Sequence, residues 1–249
     1  MLNEWFLFIF GLLIGSFLNV CIYRLPQKQS IVVPPSHCNT CGTYLKPRDL
    51  IPVISYFLSA GRCRYCGTAF SIRYVIVELL TACIFLWCLQ VFGFSLEMIR
   101  ALILSAFLIV ITFIDYDYQL ILDKVLLWMS GIGIIINLWM NSISVLDMCI
   151  AAVLGGSLFL LIAMVSRGGM GDGDIKFIAV LGIWLGWKYL LVTMLFSFVF
   201  GGLGGVLLLA FRLKTRKDFI PFGPFIAFSA FLSMLYGNQI IAWYIEKCY

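Results

Sequence analysis

The sequence predicts an all-α protein that crosses a membrane several times and carries one small polar insert. Hydrophobic residues make up 63% of the 249-residue chain and charged residues only 12%. That charged share is about half of what a soluble domain carries. The apolar residues fall into runs long enough to span a bilayer. The one sizeable polar stretch, 24–74, follows the first run and contains four of the nine cysteines.

The apolar runs define the predicted helices. The first run covers 5–23, so we assign 1–23 to the first transmembrane helix. It is not typical of a cleavable signal peptide, because Arg24 and Lys28 follow the run, whereas a signal peptide carries its basic residues first. The polar insert 24–74 comes next. The rest of the chain, 75–249, is a predicted seven-helix bundle, so that about eight helices cross the membrane, with later runs at 75–92, 98–114, 120–140, 148–165, 175–187, 189–210 and 222–244.

The distribution of Lys and Arg predicts the orientation of these helices. Cytoplasmic loops of membrane proteins carry an excess of basic residues. With the amino terminus outside, 14 of the 17 basic residues fall on the cytoplasmic side and 3 fall outside. We therefore expect both termini outside and the insert in the cytoplasm. The net charge of +5 is small and scattered, so the sequence gives no indication of nucleic-acid binding.

The insert carries two Cys-x-x-Cys pairs, Cys38 with Cys41 and Cys63 with Cys66, separated by 21 residues. Four thiolates are a typical ligand set for tetrahedral Zn²⁺. Disulfides are rare in the cytoplasm, so we predict a structural zinc site, with a redox pair or inert thiols as the alternatives. His37 adjoins the first pair, and we interpret it as a bystander because four cysteines already complete the ligand set.

Five of the twelve acidic residues are predicted to collect where the membrane helices meet the cytoplasm, namely Asp115, Asp117, Asp123, Asp172 and Asp174. An ionisable residue inside a membrane segment is expensive and indicates a functional site. Asp117 could instead be a loop charge. Asp172 is positioned to cap the helix 175–187.

The helix 175–187 is short for a transmembrane segment. It covers about 20 Å at 1.5 Å per residue, whereas the hydrocarbon core is about 30 Å thick. Asp174 is therefore expected several ångströms inside the bilayer, and Asp115, which ends the apolar run 101–114, at a similar depth. Two carboxylates held close in such surroundings cannot both ionise and share one proton. That state is the working state of an aspartic protease.

Several motifs resemble those of a known family. The segment Gly171-Asp172-Gly173-Asp174 is similar to the Gly-x-Gly-Asp signature of the intramembrane aspartyl proteases. Longer similarities narrow the resemblance to the type IV prepilin peptidases and cover nearly the whole chain, at 15–20, 23–26, 38–41, 49–53, 61–66, 73–74, 78–80, 169–176 and 221–225.

The resemblance implies a membrane aspartyl endopeptidase of the bacterial inner membrane. It would remove the basic leader from type IV prepilins or pseudopilins at the cytoplasmic face. The catalytic aspartates correspond to Asp115 and Asp174. The family usually has a proline before the second acid of its first motif, where this chain has Leu122. Asp123 therefore stays as the alternative first acid, with Asp115 favoured.

Other residues of these motifs are expected to support the substrate. Glycines would let an extended substrate pair with the enzyme backbone, and an acidic rim would attract the Lys and Arg side chains of the leader. The supporting residues expected on this basis are Gly171, Gly173, Asp172, Asp117, Asp123 and Lys176.

Many members of the family also methylate the new amino terminus with S-adenosylmethionine. The resemblance therefore implies a second activity, for which Glu78 and Arg24, beside the insert, are the candidate residues. An alternative from a different class is a proton-coupled transporter that relays ions through intramembrane carboxylates. Transporters usually place such acids near the midplane on broken helices within inverted repeats, whereas this sequence places them at one face. A non-catalytic scaffold would leave Asp174 unexplained.

Overall fold

The computed structural model describes residues 2–166, 170–211 and 220–248, and over these ranges it contains helices and no strand. The helices are α1 (Leu2–Arg24), α2 (Ile54–Leu58), α3 (Arg73–Phe92), α4 (Leu96–Tyr118), α5 (Asp123–Met140), α6 (Val145–Val165), α7 (Asp172–Ala210) and α8 (Gly223–Cys248). Within the described ranges seven helices, all except α2, are long and apolar enough to cross a membrane. The predicted all-α membrane fold with an insert after the first helix is confirmed.

Two sets of sequence features lie outside the described residues. One is the stretch Arg167, Gly168 and Gly169, which begins the glycine-rich motif. The other is the basic loop at 212–217, which contributes to the predicted orientation. The chain divides into two compact units, Met1–Val110 and Ile111–Tyr249.

In the first unit, α1 and α3 pack side by side in opposite directions. A Cβ atom at Gly11 would lie 2.6 Å from the Cα atom of Ala82, and one at Gly15 would lie 2.7 Å from that of Glu78. The backbones can approach this closely because glycine has no side chain. Nδ2 of Asn19 donates to the carbonyl of Tyr74 at 3.0 Å. This bond joins α1 to the beginning of α3.

In the second unit, α7 packs against α5, α6 and α8 and is sharply bent at Gly186, where φ is 69° and ψ is 171°. Methyl groups of Ile178 and Leu190 both lie 2.8 Å from the position of a Cβ atom on Gly155. In a straight helix those two residues would be about 18 Å apart, so the arms 172–185 and 187–210 fold back toward each other. They correspond to the two predicted helices 175–187 and 189–210, with the break at Gly186 instead of Lys188.

The bend removes one helical hydrogen bond, and side chains from two neighbouring helices replace it. In an uninterrupted helix the N–H of Trp187 would donate to the carbonyl of Ile183. Here the N–H of Trp187 donates to Oδ1 of Asp147 on α6 at 3.0 Å. The carbonyl of Ile183 accepts from Nδ2 of Asn137 on α5 at 2.7 Å. These two hydrogen bonds hold the end of the first arm of α7 against α5 and α6.

Candidate active site and metal centre

Two buried carboxylates lie within the second unit. Asp115 is in the last turn of α4 and Asp174 is the third residue of α7. Their exposed fractions are 5% and 6%. They are close enough to interact electrostatically. Two acids this well shielded from water are costly for a membrane bundle to retain unless they have a function.

A backbone amide at the start of a helix holds each carboxylate. Oδ2 of Asp115 accepts a hydrogen bond from the N–H of Gly223, the first residue of α8, at 2.9 Å. Oδ2 of Asp174 accepts from the N–H of Gly171, the N-cap of α7, at 3.3 Å. The positive end of a helix dipole favours negative charge at both places. Two helix N-termini therefore converge on the acid pair.

Two exposed acids, Asp123 and Asp172, lie beside the start of α7. Asp172 is the first helical residue, with Gly171 as the N-cap, so the prediction that Asp172 caps this helix is wrong. The cap bond comes from Asp174, whose carboxylate reaches back to Gly171. Asp172 instead pairs with Nζ of Lys176 at 2.6 Å, and Nζ also contacts Oδ1 of Asp123 at 3.0 Å. One lysine thus bridges the beginnings of α5 and α7.

Burial distinguishes the candidate acids. The side chains of Asp123 and Asp172 are 73% and 78% exposed, and Asp117 is also exposed. Gly173 lies against Ile121, since a Cβ at that position would be 2.8 Å from the Cβ of Ile121. Gly171 and Gly173 are half-buried and the three other acids are exposed, so none of them is enclosed as Asp115 and Asp174 are.

In the first unit the four cysteines of the insert come together. The Sγ atoms of Cys38, Cys41, Cys63 and Cys66 all lie within 4.8 Å of one another. No disulfide occurs among the cysteines that the structure describes. Four thiols in one compact group fit the tetrahedral ligand set of a structural zinc ion. His37 directs Nδ1 to the carbonyl of Pro35 at 3.0 Å, in agreement with its interpretation as a bystander.

The two cysteine pairs are built as copies of one loop. In the first, the N–H of Cys38 donates to the carbonyl of Thr43 at 3.0 Å, and the N–H of Gly42 donates to the carbonyl of Cys38 at 2.8 Å. Equivalent bonds of 2.8 and 2.9 Å recur in the second pair, among Cys63, Thr68 and Gly67. The backbone N–H groups of Cys41 and Thr40 lower the pKa of the Cys38 thiol to about 6. Cys38 therefore favours the thiolate, the form that binds metal, whereas the neighbouring thiol of Cys63 has a raised pKa.

Asp49 connects the turn before α2 to the second cysteine loop. Its Oδ2 accepts from the hydroxyl of Tyr65 at 2.9 Å and from the N–H of Lys46 at 3.1 Å, and its Oδ1 lies 3.3 Å from Nε of Arg64. Desolvation opposes the charge, but Tyr65, Lys46 and Arg64 together hold the pKa of Asp49 below its usual value. This carboxylate fastens the insert independently of a metal.

The first unit also contains a cavity of about 470 Å³ between α1, α3 and the insert. Glu78 lies in its wall with an exposed fraction of 7%. Its Oε2 accepts from the N–H of Val53 at 2.8 Å. Arg24, also 7% exposed, donates to the carbonyls of Ser30 and Pro35 at 3.0 and 3.4 Å. Both predicted methyl-transfer candidates therefore line one cavity, although Arg24 is occupied by the backbone of the insert.

Sequence reasoning missed two residues that shape these sites. Gly223 was noted only as part of the 221–225 motif, and its position between proline-containing neighbours was the available signal for a fixed helix start. Asp147 falls between the predicted helices 120–140 and 148–165, but its carboxylate stabilises the bend of α7. No local pattern reveals that role, because its partner is 40 residues away.

Comparisons with known proteins agree with this arrangement. Residues 9–92 match the bacterial peptidase A24 N-terminal domain, and residues 102–206 match the type IV leader peptidase family. No solved structure matches the chain significantly.

Relatives extend over nearly the full length. A prepilin leader peptidase/N-methyltransferase of Bacillus subtilis is 40% identical over 96% of this chain and 97% of its own length. Proteins of the same name from Legionella pneumophila and Pseudomonas aeruginosa are each 35% identical, over 97% and 96% of this chain and 95% and 92% of their own lengths. The chain belongs to the type IV leader peptidase family.

Proposed function

We propose that this membrane protein is an aspartyl endopeptidase that removes the basic leader from type IV prepilins or pseudopilins and then methylates the new amino terminus. The observation that carries the peptidase proposal is the pair Asp115 and Asp174, both buried and within electrostatic range. The family and its nearly full-length relatives support the same activity.

The chemistry requires that the pair share one proton. One carboxylate takes a proton from water as the water oxygen attacks the scissile carbonyl carbon, and the other carboxyl protonates the carbonyl oxygen. The tetrahedral intermediate then collapses, the C–N bond breaks, and the leaving amine takes up a proton. Hydrogen bonds from the N–H groups of Gly223 and Gly171 hold one oxygen of each carboxyl group in place. The other oxygen of each carboxyl group remains for water and substrate.

The burial contrast supports Asp115 over Asp123 as the first catalytic acid. Asp123 is 73% exposed and paired with Lys176, so it lacks the poorly hydrated surroundings in which two acids share a proton. Asp123, Asp172 and Asp117 suit contact with the basic leader instead. For Asp123 and Asp172, the leader's Lys and Arg would compete with Lys176.

Co-expression with a candidate prepilin tests the peptidase proposal, with leader removal followed by a gel shift. Asp115→Asn and Asp174→Asn should each abolish processing while the protein still inserts in the membrane. Glu97→Gln, which removes a partly exposed acid at the opposite end of α4, is the matched control and should process. Full processing by either of the first two variants would refute the catalytic assignment.

The methyl-transfer proposal concerns the cavity of the first unit. Its volume of about 470 Å³ lies within the range of small-molecule sites, and the buried carboxylate of Glu78 suits a cationic group. S-adenosylmethionine, when bound, would supply an activated methyl group. Glu78 would hold the positive charge of the sulfonium or of the incoming amine, and Asn19 and Tyr56 would offer polar contacts from the cavity wall.

Binding of S-adenosylmethionine to the purified protein, measured by calorimetry, tests this site without any peptidase step. Glu78→Gln should weaken binding several-fold. Glu97→Gln, which removes a partly exposed acid of the same unit, should not. Unchanged binding by Glu78→Gln would exclude the cavity assignment but leave the peptidase proposal intact.

We further propose zinc as the metal of the four-cysteine cluster and the bacterial inner membrane as the location, with both termini outside. The support is the cluster itself, the seven apolar helices of the described ranges and the 14-to-3 distribution of basic residues. Both termini lie on one side if each arm of α7, on either side of the bend at Gly186, crosses the membrane separately, so that there are eight crossings. Cysteine accessibility labelling at the exposed Cys41 after metal removal, in intact cells and in permeabilised cells, tests the orientation. Labelling in intact cells would contradict it.

A further inference from the structure

The short helix α2 has two different faces. Its polar face, together with the residue that follows the helix, lines the cavity of the first unit through Ser55, Tyr56 and Ser59. Its other face is apolar and uncovered, with exposed fractions of 56% for Ile54, 67% for Phe57 and 73% for Leu58. Three large apolar side chains on one face of a five-residue helix require a partner if they are not to remain in water.

One hydrogen bond fixes the depth of this helix against a transmembrane segment. The N–H of Val53, which immediately precedes α2, donates to Oε2 of Glu78 at 2.8 Å. α3 begins at Arg73, so Glu78 lies about 7.5 Å beyond the first residue of that helix at 1.5 Å per residue. Because α3 is a membrane-crossing helix, the start of α2 lies beside the membrane part of α3.

The other end of α2 is held nearer the beginning of α3. The N–H of Phe70 donates to the carbonyl of Gly61 at 2.7 Å, and the hydroxyl of Tyr56 donates to the carbonyl of Phe70 at 3.4 Å. Phe70 lies shortly before α3 in the chain. The chain at the start of α2 is therefore bonded to α3 through Glu78, and Tyr56 and Gly61 are bonded to Phe70, three residues before α3 begins.

We propose that Ile54, Phe57 and Leu58 are inserted into the interfacial layer of the membrane that α3 crosses. Helices that lie in this layer bury their apolar face about 5–10 Å deep, which agrees with the depth of Val53. Exposed apolar residues at the same level of α3, Ile76 at 50% and Leu80 at 39%, must already face lipid. Arg62, exposed and shortly after α2, suits the anionic lipid headgroups.

This contact would fix the cavity wall to the membrane surface. Ser55 and Tyr56 line the cavity while their neighbours Ile54 and Phe57 contact lipid, so the insert is anchored at α2 as well as through its connections to α1 and α3. The inference depends only on contacts within the first unit and holds whether or not the proposed enzymatic functions are correct.

Depth-dependent fluorescence quenching in liposomes tests the proposal on the full-length protein. A fluorescent amino acid, excited at wavelengths where the seven tryptophans do not absorb, is placed at position 57 or, in a second variant, at position 58. The matched control is position 44, because Tyr44 is 61% exposed on the first cysteine loop. Lipids that carry a nitroxide near the top of the acyl chain should quench positions 57 and 58 several-fold more than position 44.

Equal quenching at all three positions would overturn the proposal. So would stronger quenching of positions 57 and 58 by a water-soluble quencher than by the nitroxide lipid. Cross-linking between two copies of the chain at position 57, without lipid quenching, would assign this face to self-association and would equally refute the lipid contact. The second labelled position guards against a local disturbance by one label.

Discussion

The backbone N–H of Gly223 donates to Oδ2 of Asp115 at 2.9 Å, joining residues 108 positions apart. Gly223 is the first residue of α8, so the bond places the carboxylate at the positive end of a helix. It also fixes which oxygen of Asp115 remains available. The geometry of the proposed catalytic acid therefore depends on a residue that has no side chain and takes no part in proton transfer.

Gly223→Ala should disable the enzyme without altering either acid. A Cβ atom at this position would lie 2.7 Å from Oδ2 of Asp115, so the carboxylate would have to move. Displacement of a catalytic group by about 1 Å costs on the order of 100-fold in rate. Leader cleavage measured with purified protein should show this loss in kcat with little change in KM.

Gly202→Ala is the control for that variant. It adds the same methyl group to the second arm of α7, where nothing lies within 4 Å of the new Cβ atom. Its activity should equal that of the wild type. If Gly223→Ala kept wild-type kcat, the positioning role of this amide would be excluded.

Asp123→Asn should distinguish the role of the exposed acids from that of the buried pair Asp115 and Asp174. Asp123 is 73% exposed and contacts Lys176, and exposed ion pairs contribute little to stability, so the fold and kcat should change little. KM for a substrate with a basic leader should rise, because one attractive charge is lost. Asp115→Asn, in contrast, should lower kcat by at least about 100-fold, the usual share of a general acid or base.

A substrate whose leader lacks Lys and Arg provides the check. If Asp123 contacts the leader, its substitution should not change KM for this substrate. A large fall in kcat for Asp123→Asn with both substrates would make Asp123 the first catalytic acid and would exclude Asp115 from that role.

Helix positions and the cysteine cluster could be predicted from the sequence because each depends on local information. Apolar runs define membrane helices by length alone, and two closely spaced cysteine pairs predict their own convergence. The sequence predicts two separate helices, 175–187 and 189–210, with the interruption at Lys188, whereas the structure has one helix, α7, bent at Gly186. A charged residue is an obvious interruption, whereas the conformation at Gly186, with φ of 69°, is permitted by glycine and stabilised from other helices.

Contacts over long sequence separations could not be predicted in the same way. Nothing near Asp115 indicates that an amide from α8 will bond to it, and nothing near Asp172 indicates that Gly171 will be the N-cap and Asp174 its partner. A single carboxylate can satisfy several local rules at once. Tertiary packing decides which of them applies.

Metal retention by the insert should depend on pH with a defined sign. The thiol of Cys38 has its pKa lowered from 9.0 to about 6 by the backbone N–H groups of Cys41 and Thr40. A lowered pKa in the folded state stabilises the thiolate above the unfolded value, and this stabilisation is lost as the pH falls through about 6. We expect about one zinc per chain at pH 7.5 by elemental analysis, with release on acidification below the pKa of Cys38.

The Cys38→Ser and Cys63→Ser double variant is expected to bind no stoichiometric zinc at any pH. Cys83→Ser is the matched control, because this exposed cysteine lies on α3, outside the cluster. Its zinc content should equal that of the wild type. Metal-free wild-type protein with a folded insert at pH 7.5 would contradict the assignment of a structural zinc.

Asp147→Ala should destabilise the bend of α7. The carboxylate of Asp147 accepts a hydrogen bond from the N–H of Trp187. Because the helix is bent at Gly186, this N–H no longer donates to the carbonyl of Ile183. Without the carboxylate, the N–H of Trp187 at the bend relies on water, and loss of a hydrogen bond to a charged group costs roughly 1.5–3 kcal/mol. The midpoint of unfolding in detergent should fall, and the rate of leader cleavage should decrease because the first arm of α7 carries Asp174.

Asp147→Asn keeps an oxygen acceptor at the same place and should recover most of the lost stability. Equal stability of the alanine and wild-type proteins would show that Asn137, through its bond to the carbonyl of Ile183, is sufficient to hold the bend.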